Sequence, residues 1–429
     1  MISPDGPVGI AARGKGPLNL VHRAAMIGTR YGLSPHRMER RLDAVLRLVK
    51  RYDCGATLPI TAHAVARHPD IIARYSASEI EFAVHGYYHV DHVALTGAGQ
   101  LEQLGRARKV LEENGVPAYG FRAPYLRWNE ATMFAVRENG FLYDTSLAIH
   151  LPLNLFSETA TYRRALDFYG STAAWERPIL PWLENGIVRI PYCLPDDESV
   201  VDRLQLAPDE IATQWLSMLR FSHAHGELFT LGIHPERIGL CSVGIAAVLN
   251  SARAARPRIW IARLEHIARW WREREHSSIV IEEVDAGRLR IRAQGPSDLT
   301  VLARGLSVPD SRPWADGYVV IPSLGSELRT DRRPCIGIHP SSPSLLAGFL
   351  REQGYVVEIS ERHEQYHYYL RRPRFSPADE GSILSKIEQS DSPLVRLGRW
   401  PDGAKSALAI TGDVDALTIW DYAFRFLGQ

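Results

Sequence analysis

The sequence has few cysteines and no apolar run long enough to cross a membrane. Its four cysteines are far apart and include no CxxC pair, so we expect neither a disulfide framework nor a cysteine metal cluster. No window approaches the roughly 20 apolar residues of a membrane helix. Residues 1–7 lack the basic start and apolar core of a signal peptide. We therefore expect a cytoplasmic protein, with peripheral attachment to a membrane left open.

An excess of charge of either sign is also absent. The chain has 50 Lys and Arg against 49 Asp and Glu, which gives no electrostatic basis for binding nucleic acid. Hydrophobic residues make up 45% and charged residues 23%, as in soluble globular proteins. Because 429 residues exceed one ordinary core, we expect two domains.

Segments with the apolar pattern of strands alternate with segments of helical periodicity. Predicted strands cover residues 54–61, 79–84, 120–125, 141–146, 187–191 and 228–234, and predicted helices cover 34–52, 64–75, 98–115, 130–139 and 258–275. This alternation is typical of parallel α/β architecture. After residue 277 short strands and turns follow, and residues 406–429 return to a buried strand and an amphipathic helix. We predict one domain from residues 1–277 plus 403–429, and a smaller α/β accessory domain from 278–402.

Polar residues follow several of these strands. His85 and His89 are four positions apart after the strand at 79–84, where we expect them to open a helix. A catalytic zinc site takes three protein ligands and a water, so a carboxylate is needed. No acid ends an earlier strand, whereas the last predicted strand leads into Asp413 and Asp415. Working residues of a β/α barrel lie at the carboxyl ends of its strands, which adds Arg122, Asp144 and His234 as candidates.

Four motifs resemble motifs two to five of the polysaccharide deacetylases, carbohydrate esterase family four. They are His85-Gly-Tyr-Tyr-His89, Phe121-Arg-Ala-Pro-Tyr125, Tyr143-Asp-Thr-Ser146 and Leu231-Gly-Ile-His-Pro235. The resemblance covers about residues 33–275 and the last strand and helix, but not the middle domain. It implies a distorted (β/α) barrel that removes N-acetyl or O-acetyl groups from a carbohydrate.

The first motif of that family, an Asp pair on the first strand, is similar to Thr411-Gly-Asp413-Val-Asp415, which here comes last. We interpret this order as a circular permutation, in which the first strand and helix of the barrel moved to the C-terminus. The alternative is that residues 406–429 begin a truncated second copy or are an unrelated strand and helix.

The resemblance implies that Asp415, His85 and His89 hold a divalent metal. Zinc is favoured, with Co²⁺, Mn²⁺ or Ni²⁺ as alternatives. Asp413, two residues before the ligand, lies on the same strand face and would take the proton of the water. Arg122 would orient Asp413 and keep it ionised.

The remaining roles follow from the same resemblance. The backbone N–H of Tyr125 would stabilise the tetrahedral oxyanion. His234 would protonate the departing amine, with Asp144 as its tuning neighbour. The substrate would be an acetylated amino sugar, an oligosaccharide or polysaccharide, or a lipid-linked sugar.

The sequence departs from the family pattern at two places and contains one unrelated motif. Leu147 and Ala148 stand where the family often has Asp-Trp, so Trp128 or Tyr125 would have to supply an aromatic wall. Gly412 replaces a bulky residue. The run His363-Glu-Gln-Tyr-His367 resembles a zinc-protease motif, but we interpret it as chance because Pro373 breaks the helix that this motif needs.

Two other functions remain open from the sequence. One is an allantoinase-like amidohydrolase that acts on a small cyclic amide. The other is a carbohydrate-binding or scaffolding protein that kept the fold without catalysis.

Overall fold

The largest sheet has nine strands and carries the candidate site. The computed structural model describes residues 30–153, 156–285, 287–322 and 324–424. The first eleven strands are β1 Ala56–Ile60, β2 Ile80–Val84, β3 Gly120–Phe121, β4 Tyr143–Asp144, β5 Ala148–His150, β6 Thr172–Ala173, β7 Trp182–Glu184, β8 Ile187–Arg189, β9 Tyr192–Leu194, β10 Leu228–Gly232 and β11 Ile259–Ile261. The large sheet also takes the last strand of the chain, Ser406–Thr411, and β5, β6 and β9 form a separate small sheet.

Across the large sheet the last strand of the chain, Ser406–Thr411, lies between β10 and β1. From β1 the order continues with β2, β3, β4, β8 and β7. All these neighbours are parallel except β7 and β8. They form a hairpin through Asn185 and Gly186, whose positive φ angles of 51° and 83° suit a tight two-residue turn. Among the described residues no pairing joins β7 or β8 to β10. The α/β class is confirmed, and the predicted barrel is an open one.

Nine helices can be described before residue 278: α1 His36–Arg51, α2 Ala62–Arg67, α3 Pro69–Ser76, α4 Gly97–Glu113, α5 Glu130–Glu138, α6 Ala160–Tyr169, α7 Pro208–His225, α8 Ser242–Ala254 and α9 Leu264–Glu275. The predicted helix over 64–75 is two helices, because Pro69 cannot donate the hydrogen bond that would continue α2. The predicted helix over 258–275 begins later, since Ile259–Ile261 pairs with the last strand of the chain.

The prediction that His85 and His89 open a helix was wrong. Gly86 has a φ of +78°, in the left-handed region that glycine favours, and a Cβ there would lie 2.8 Å from the Tyr88 carbonyl oxygen. The histidines therefore lie in a loop that leads to a short 3₁₀ helix at His92–Ala94. Only after Thr96, whose hydroxyl caps Gly99, does α4 begin.

Residues 278–402 form three smaller sheets, with strand orders β12-β13-β17, β15-β16-β14-β21 and β19-β18-β20. These elements are β12 Ser278–Asp285, β13 Arg288–Gln294, β14 Val301–Arg304, β15 Arg312–Pro313, β16 Tyr318–Ile321, β17 Leu324–Arg329, β18 Arg333–Ile338, α10 Ser344–Glu352, β19 Val357–Ile359, β20 Tyr366–Leu370, α11 Glu380–Gln389 and β21 Leu394–Leu397. They pack on α9, where the indole nitrogen of Trp270 donates to the Arg399 carbonyl at 2.8 Å. The predicted division at 278 and 402 stays a prediction.

The chain then returns to the large sheet with β22, Ser406–Thr411, and α12, Ile419–Ala423. The predicted helix beyond residue 424 lies outside the described residues. In the part of the chain that is described, no helix has the length and apolar character needed to cross a membrane.

Candidate metal and catalytic site

The carboxyl ends of β1, β10 and β22 meet because β22 lies between the other two strands. Thr411, at the end of β22, is aligned with Gly232, at the end of β10, and Val414, just beyond β22, is bridged to Ile60, at the end of β1. A Cβ on Gly412 would lie 1.7 Å from the carbonyl oxygen of Ile233, so no side chain fits at this position. The missing bulky residue at Gly412 is thus explained, because its absence lets the segment leading to Asp413 run directly against the backbone beside His234.

Two histidines and one aspartate from opposite ends of the chain come together beyond these strands. The Asp415 Oδ1 atom lies 3.4 Å from His89 Nε2 and 3.7 Å from His85 Nε2. Ligand atoms bound about 2.1 Å from a tetrahedral zinc ion are about 3.4 Å apart. The two distances from Asp415 are thus close to the spacing that such a cation needs, and all three ligand atoms lie within 4.8 Å of one another.

The protonation of His85 also fits a metal ligand. Its Nδ1 atom lies 2.9 Å from the carbonyl oxygen of Arg122, which can only accept, so Nδ1 carries the proton. Its Nε2 atom is then a lone-pair donor, and it is buried without a hydrogen-bond partner among the described residues. Burying a nitrogen without a partner costs folding free energy, and a bound cation would remove that cost.

Asp413 lies beside this cluster and is held by Arg122. The Arg122 Nη1 atom donates to Asp413 Oδ1 at 2.7 Å, and Nη2 donates to the Thr411 hydroxyl at 2.8 Å. The second oxygen, Oδ2, lies 3.6 Å from His85 Nε2. Burial raises the pKa of Asp413, but the electrostatic influence of its neighbours His85, Arg122 and His234 outweighs this effect and lowers the pKa. The carboxylate is therefore ionised, as a general base must be.

His234 lies at the end of β10 and is held by Asp197, a residue that the sequence did not single out. Asp197 accepts from the His234 ring nitrogen Nδ1 and from its backbone N–H, both at 2.6 Å. Burial lowers the pKa of His234, but the charge and hydrogen bond of Asp197 raise it to about 10. His234 is thus protonated near neutral pH and can act as an acid.

Asp144 does not have the place expected for it. Its carboxylate accepts from the Ser146 hydroxyl at 2.5 Å and from Arg189 Nε at 2.9 Å, whereas the carboxylate next to His234 is that of Asp197. The strand order gives the reason, since β4, which ends at Asp144, is separated from β10 by four strands. Asp144 instead orders a turn in which Ser146 accepts the Ala123 backbone N–H.

Tyr125 lies against the metal-binding cluster. Its ring centroid is 4.5 Å from that of His89, in an edge-to-face arrangement. Its φ of +62° is uncommon for a residue with a side chain and is typical of functional sites. The structure thus brings Tyr125 next to a candidate ligand, and its proposed role as an oxyanion donor stays a prediction.

Asp196, next to Asp197, belongs to a second group of possible ligands with His234. Its carboxylate already accepts from the Ser199 hydroxyl, the Ser199 backbone N–H and the Tyr192 hydroxyl, at 2.7, 2.9 and 3.0 Å. A carboxylate with three donors has little capacity left for a cation, and Asp197 already binds His234, so we assign no second metal to this group. Both aspartates follow β9. The rule that working residues lie at the carboxyl ends of strands would therefore have found them if it had been applied to that strand.

The zinc-protease-like motif does not form a metal site. His363 lies in the short 3₁₀ helix His363–Gln365, and His367 lies in the strand that follows it. The two histidines therefore do not share a helix face, which is what the motif needs. The interpretation of this motif as chance agrees with its geometry.

Part of the chain, including His85, His89 and Arg122, matches a known protein family. Residues 34–143 match the polysaccharide deacetylase family model. The chain is 29% identical over 133 residues to the peptidoglycan deacetylase-like protein FGM2 of Gibberella zeae. This alignment covers 31% of this chain and 39% of that protein. The chain is also 21% identical over 207 residues to the peptidoglycan deacetylase of Helicobacter pylori. This second alignment covers 46% of this chain and 71% of that protein.

Solved structures show a weaker likeness. A crystal structure from Mycobacterium smegmatis, assigned to the polysaccharide deacetylases, aligns with a TM-score of 0.45 and 22% identity, over 62% of this chain and 86% of that chain.

Proposed function

Because this chain belongs to the polysaccharide deacetylase family, we propose that it is a metal-dependent hydrolase that removes N-acetyl or O-acetyl groups from a carbohydrate. The observation that carries the proposal is the placement of Asp415 within 3.4 Å of His89 and 3.7 Å of His85. A base held by Arg122 lies on one side of this cluster, and an acid held by Asp197 completes the set.

His85, His89 and Asp415 would hold the divalent cation, with zinc favoured by two imidazoles and one carboxylate. When bound, the cation would polarise the acetyl carbonyl and acidify the attacking water. Arg122 fixes Oδ1 of Asp413, which leaves Oδ2 directed at the cluster to accept the proton of the water. The Tyr125 backbone N–H would donate to the oxyanion.

His234 would complete the reaction for an N-acetyl substrate. As the carbon–nitrogen bond breaks, His234 gives its proton to the departing nitrogen, and Asp197 stabilises the charged ring until then. The products are acetate and a free amino sugar. We propose an acetylated amino sugar as the substrate unit, presented in an oligosaccharide, a polysaccharide or a lipid-linked sugar.

Two variants test the proposal by separating the metal from the base. Asp415→Ala removes the carboxylate ligand, so metal analysis should show loss of tightly bound metal. Asp413→Asn keeps the ligands but removes the base, so we expect normal metal content and acetate release lowered at least about 100-fold. Asp391→Asn, an exposed aspartate outside the site, is the matched control and should behave as the unmodified protein.

The same assay decides between the proposed function and the two alternatives. Ring opening of a cyclic ureide without acetate release would identify an amidohydrolase of the allantoinase kind. A purified protein without bound metal, on which Asp413→Asn has no functional effect, would identify a non-catalytic member of the fold.

A further inference from the structure

A cavity of about 830 Å³ lies between the first part of the chain and residues 278–402. One wall comes from residues 177–189 and the end of α9, and the other comes from α10, the start of α11 and residues 353–357. None of the residues that we assign to the metal and catalytic site lines it. Its volume is within the range of small-molecule binding sites.

The first wall of the cavity is an alternating stack of guanidinium groups and indole rings. The Arg177 guanidinium carbon lies 3.8 Å from the centre of the Trp182 ring. The Arg189 carbon lies 5.3 Å from that ring and 4.2 Å from the Trp128 ring. Stacking of this kind favours one orientation of the long arginine side chains.

The second wall supplies an apolar face and a carboxylate. The Phe349 and Phe375 rings lie 5.5 Å apart, and Phe375 is partly exposed. Glu380, at the start of α11, lines the cavity beside them. Partly exposed aromatic rings next to polar groups are the usual surface for the apolar face of a ring-shaped ligand.

Two side chains of opposite charge in this cavity make no direct polar contact. Among the described residues, Arg177 donates no side-chain hydrogen bond, Glu380 accepts none, and neither has an ion pair within 4.0 Å. Burial raises the pKa of Glu380 to about 7, although the charge of Arg177 opposes this effect. By contrast, Glu352 nearby accepts from the Leu183 backbone N–H at 2.7 Å and the Trp271 indole at 3.0 Å.

The charges around the cavity favour a ligand without net charge. Four basic and four acidic side chains line it: Arg177, Arg189, Arg274 and Arg351, and Glu184, Glu275, Glu352 and Glu380. An anion or a cation would be attracted by one set and repelled by the other. A hydroxyl group can donate to Glu380 and accept from Arg177, so a neutral ring with several hydroxyls satisfies both.

We propose that this cavity is a second saccharide-binding site, built jointly by the family domain and residues 278–402. It binds a neutral sugar residue with hydroxyls between Arg177 and Glu380 and with the apolar ring face toward Phe375. The site gives residues 278–402 a role in holding carbohydrate away from the metal. The ligand class follows from the cavity walls, so the proposal does not depend on turnover.

The probe for this site is tri-N-acetylchitotriose, titrated into the full chain, with hydrogen exchange read by mass spectrometry. We expect protection at residues 177–189 and 344–380, and at least a tenfold weaker Kd in the double variant Arg177→Met, Glu380→Gln. The matched control is Arg292→Met, Glu282→Gln, which removes an exposed pair of the same charges at 3.6 Å and should leave Kd unchanged.

Several outcomes would overturn the proposal. They are protection only at residues 85–92 and 411–418, absence of protection anywhere, or an unchanged Kd in the cavity variant. If the double variant unfolds at a lower temperature than the control, the isosteric single change Glu380→Gln takes its place. Protection of the cavity without acetate release would refute the proposed function alone, and acetate release without cavity protection would refute this site alone.

Discussion

A single side chain and its own backbone connect the metal-binding group with the base. The Arg122 carbonyl accepts from His85 Nδ1 at 2.9 Å, which directs Nε2 toward Asp415. The Arg122 guanidinium meanwhile holds Asp413 at 2.7 Å. Arg122 is fully buried, so it can hold both groups in one orientation. At the scale of the residue, the chemistry thus depends on positioning by groups that need not contact the substrate.

The pairing of His234 with Asp197 leads to a prediction about pH. Because His234 must be protonated to donate, activity should fall as pH rises through its pKa, which is about 10. Asp197→Asn removes the main group that raises this pKa, while Glu236 still raises it and Arg237 lowers it. The alkaline limb of kcat/KM should therefore move to lower pH, toward the ordinary histidine value of about 6.5, and activity at pH 8 should fall about tenfold or more.

The measurement is a pH profile of acetate release for both proteins with matched metal content. Asp391→Asn should keep the profile of the unmodified protein. An alkaline limb that stays in place in Asp197→Asn, with only the maximum lowered, would mean that Asp197 acts on the shape of the site and that His234 is not the acid.

At the scale of the element, much of the site could be predicted from the sequence. The rule that working residues follow parallel strands located His85, Arg122, His234, Asp413 and Asp415. It failed for Asp144, because a strand end does not reveal which strand is its neighbour in space. The rule concerns strands only, so it gave no reason to include α6. The periodicity of a helix does not show which of its ends faces the site.

The carboxyl end of α6 extends the aromatic surface that begins at the metal-binding cluster. The Phe168 ring lies 6.2 Å from Tyr125, whose ring lies 4.5 Å from His89. The Tyr169 hydroxyl bonds to Glu198 at 3.1 Å, next to the Asp197 that holds His234. Trp128, the other residue proposed from the sequence, is stacked with Arg189 and lines the separate cavity. Tyr125 and Phe168 therefore form one aromatic surface beside the cluster, and we propose that Phe168 extends the wall that Tyr125 begins.

This placement predicts that Phe168 binds the sugar next to the reacting one. Phe168→Ala should raise KM for an acetylated trisaccharide about tenfold, the value of one aromatic stacking contact, and leave kcat within a factor of two or so. Phe168→Tyr should restore KM, and Phe134→Ala, a phenylalanine that is 48% exposed on another helix, should have no effect. An equal loss of kcat in Phe168→Ala would assign Phe168 a structural role instead.

At the scale of the whole molecule, the last strand of the chain occupies a place inside the sheet. β22 pairs with β1, β10 and β11 and brings Asp415 to histidines encoded more than 300 positions earlier. The need for a third ligand predicted this closure from the sequence. The packing of residues 278–402 on α9 could not be predicted, because contacts such as that of Trp271 with Glu352 depend on tertiary docking that no local pattern encodes.

The circular permutation stays a prediction, and the structure suggests how to test it. The Ile419 backbone N–H donates to the Gly32 carbonyl at 3.0 Å, and the Tyr31 and Tyr422 rings lie 5.4 Å apart. The segment after β22 therefore lies beside the start of α1, as it would if it preceded α1 in the chain. The link between β21 and β22 passes through Asp402, which is exposed.

A chain rearranged to run from residue 403 to 429 and then from 1 to 402 should consequently fold, since residues 31–32 already lie beside residues 419–422 and the new cut falls in an exposed link. We expect its free energy of unfolding to lie within about 2 kcal/mol of the original, because one new pair of ends replaces another. It should also bind one metal ion through the same three residues.

The matched control cuts between Leu408 and Ala409, inside β22, and should not fold, because it separates paired residues in the middle of the sheet. If the chain cut at residue 402 fails in the same way as this control, the order found here is not interchangeable with the order of the family.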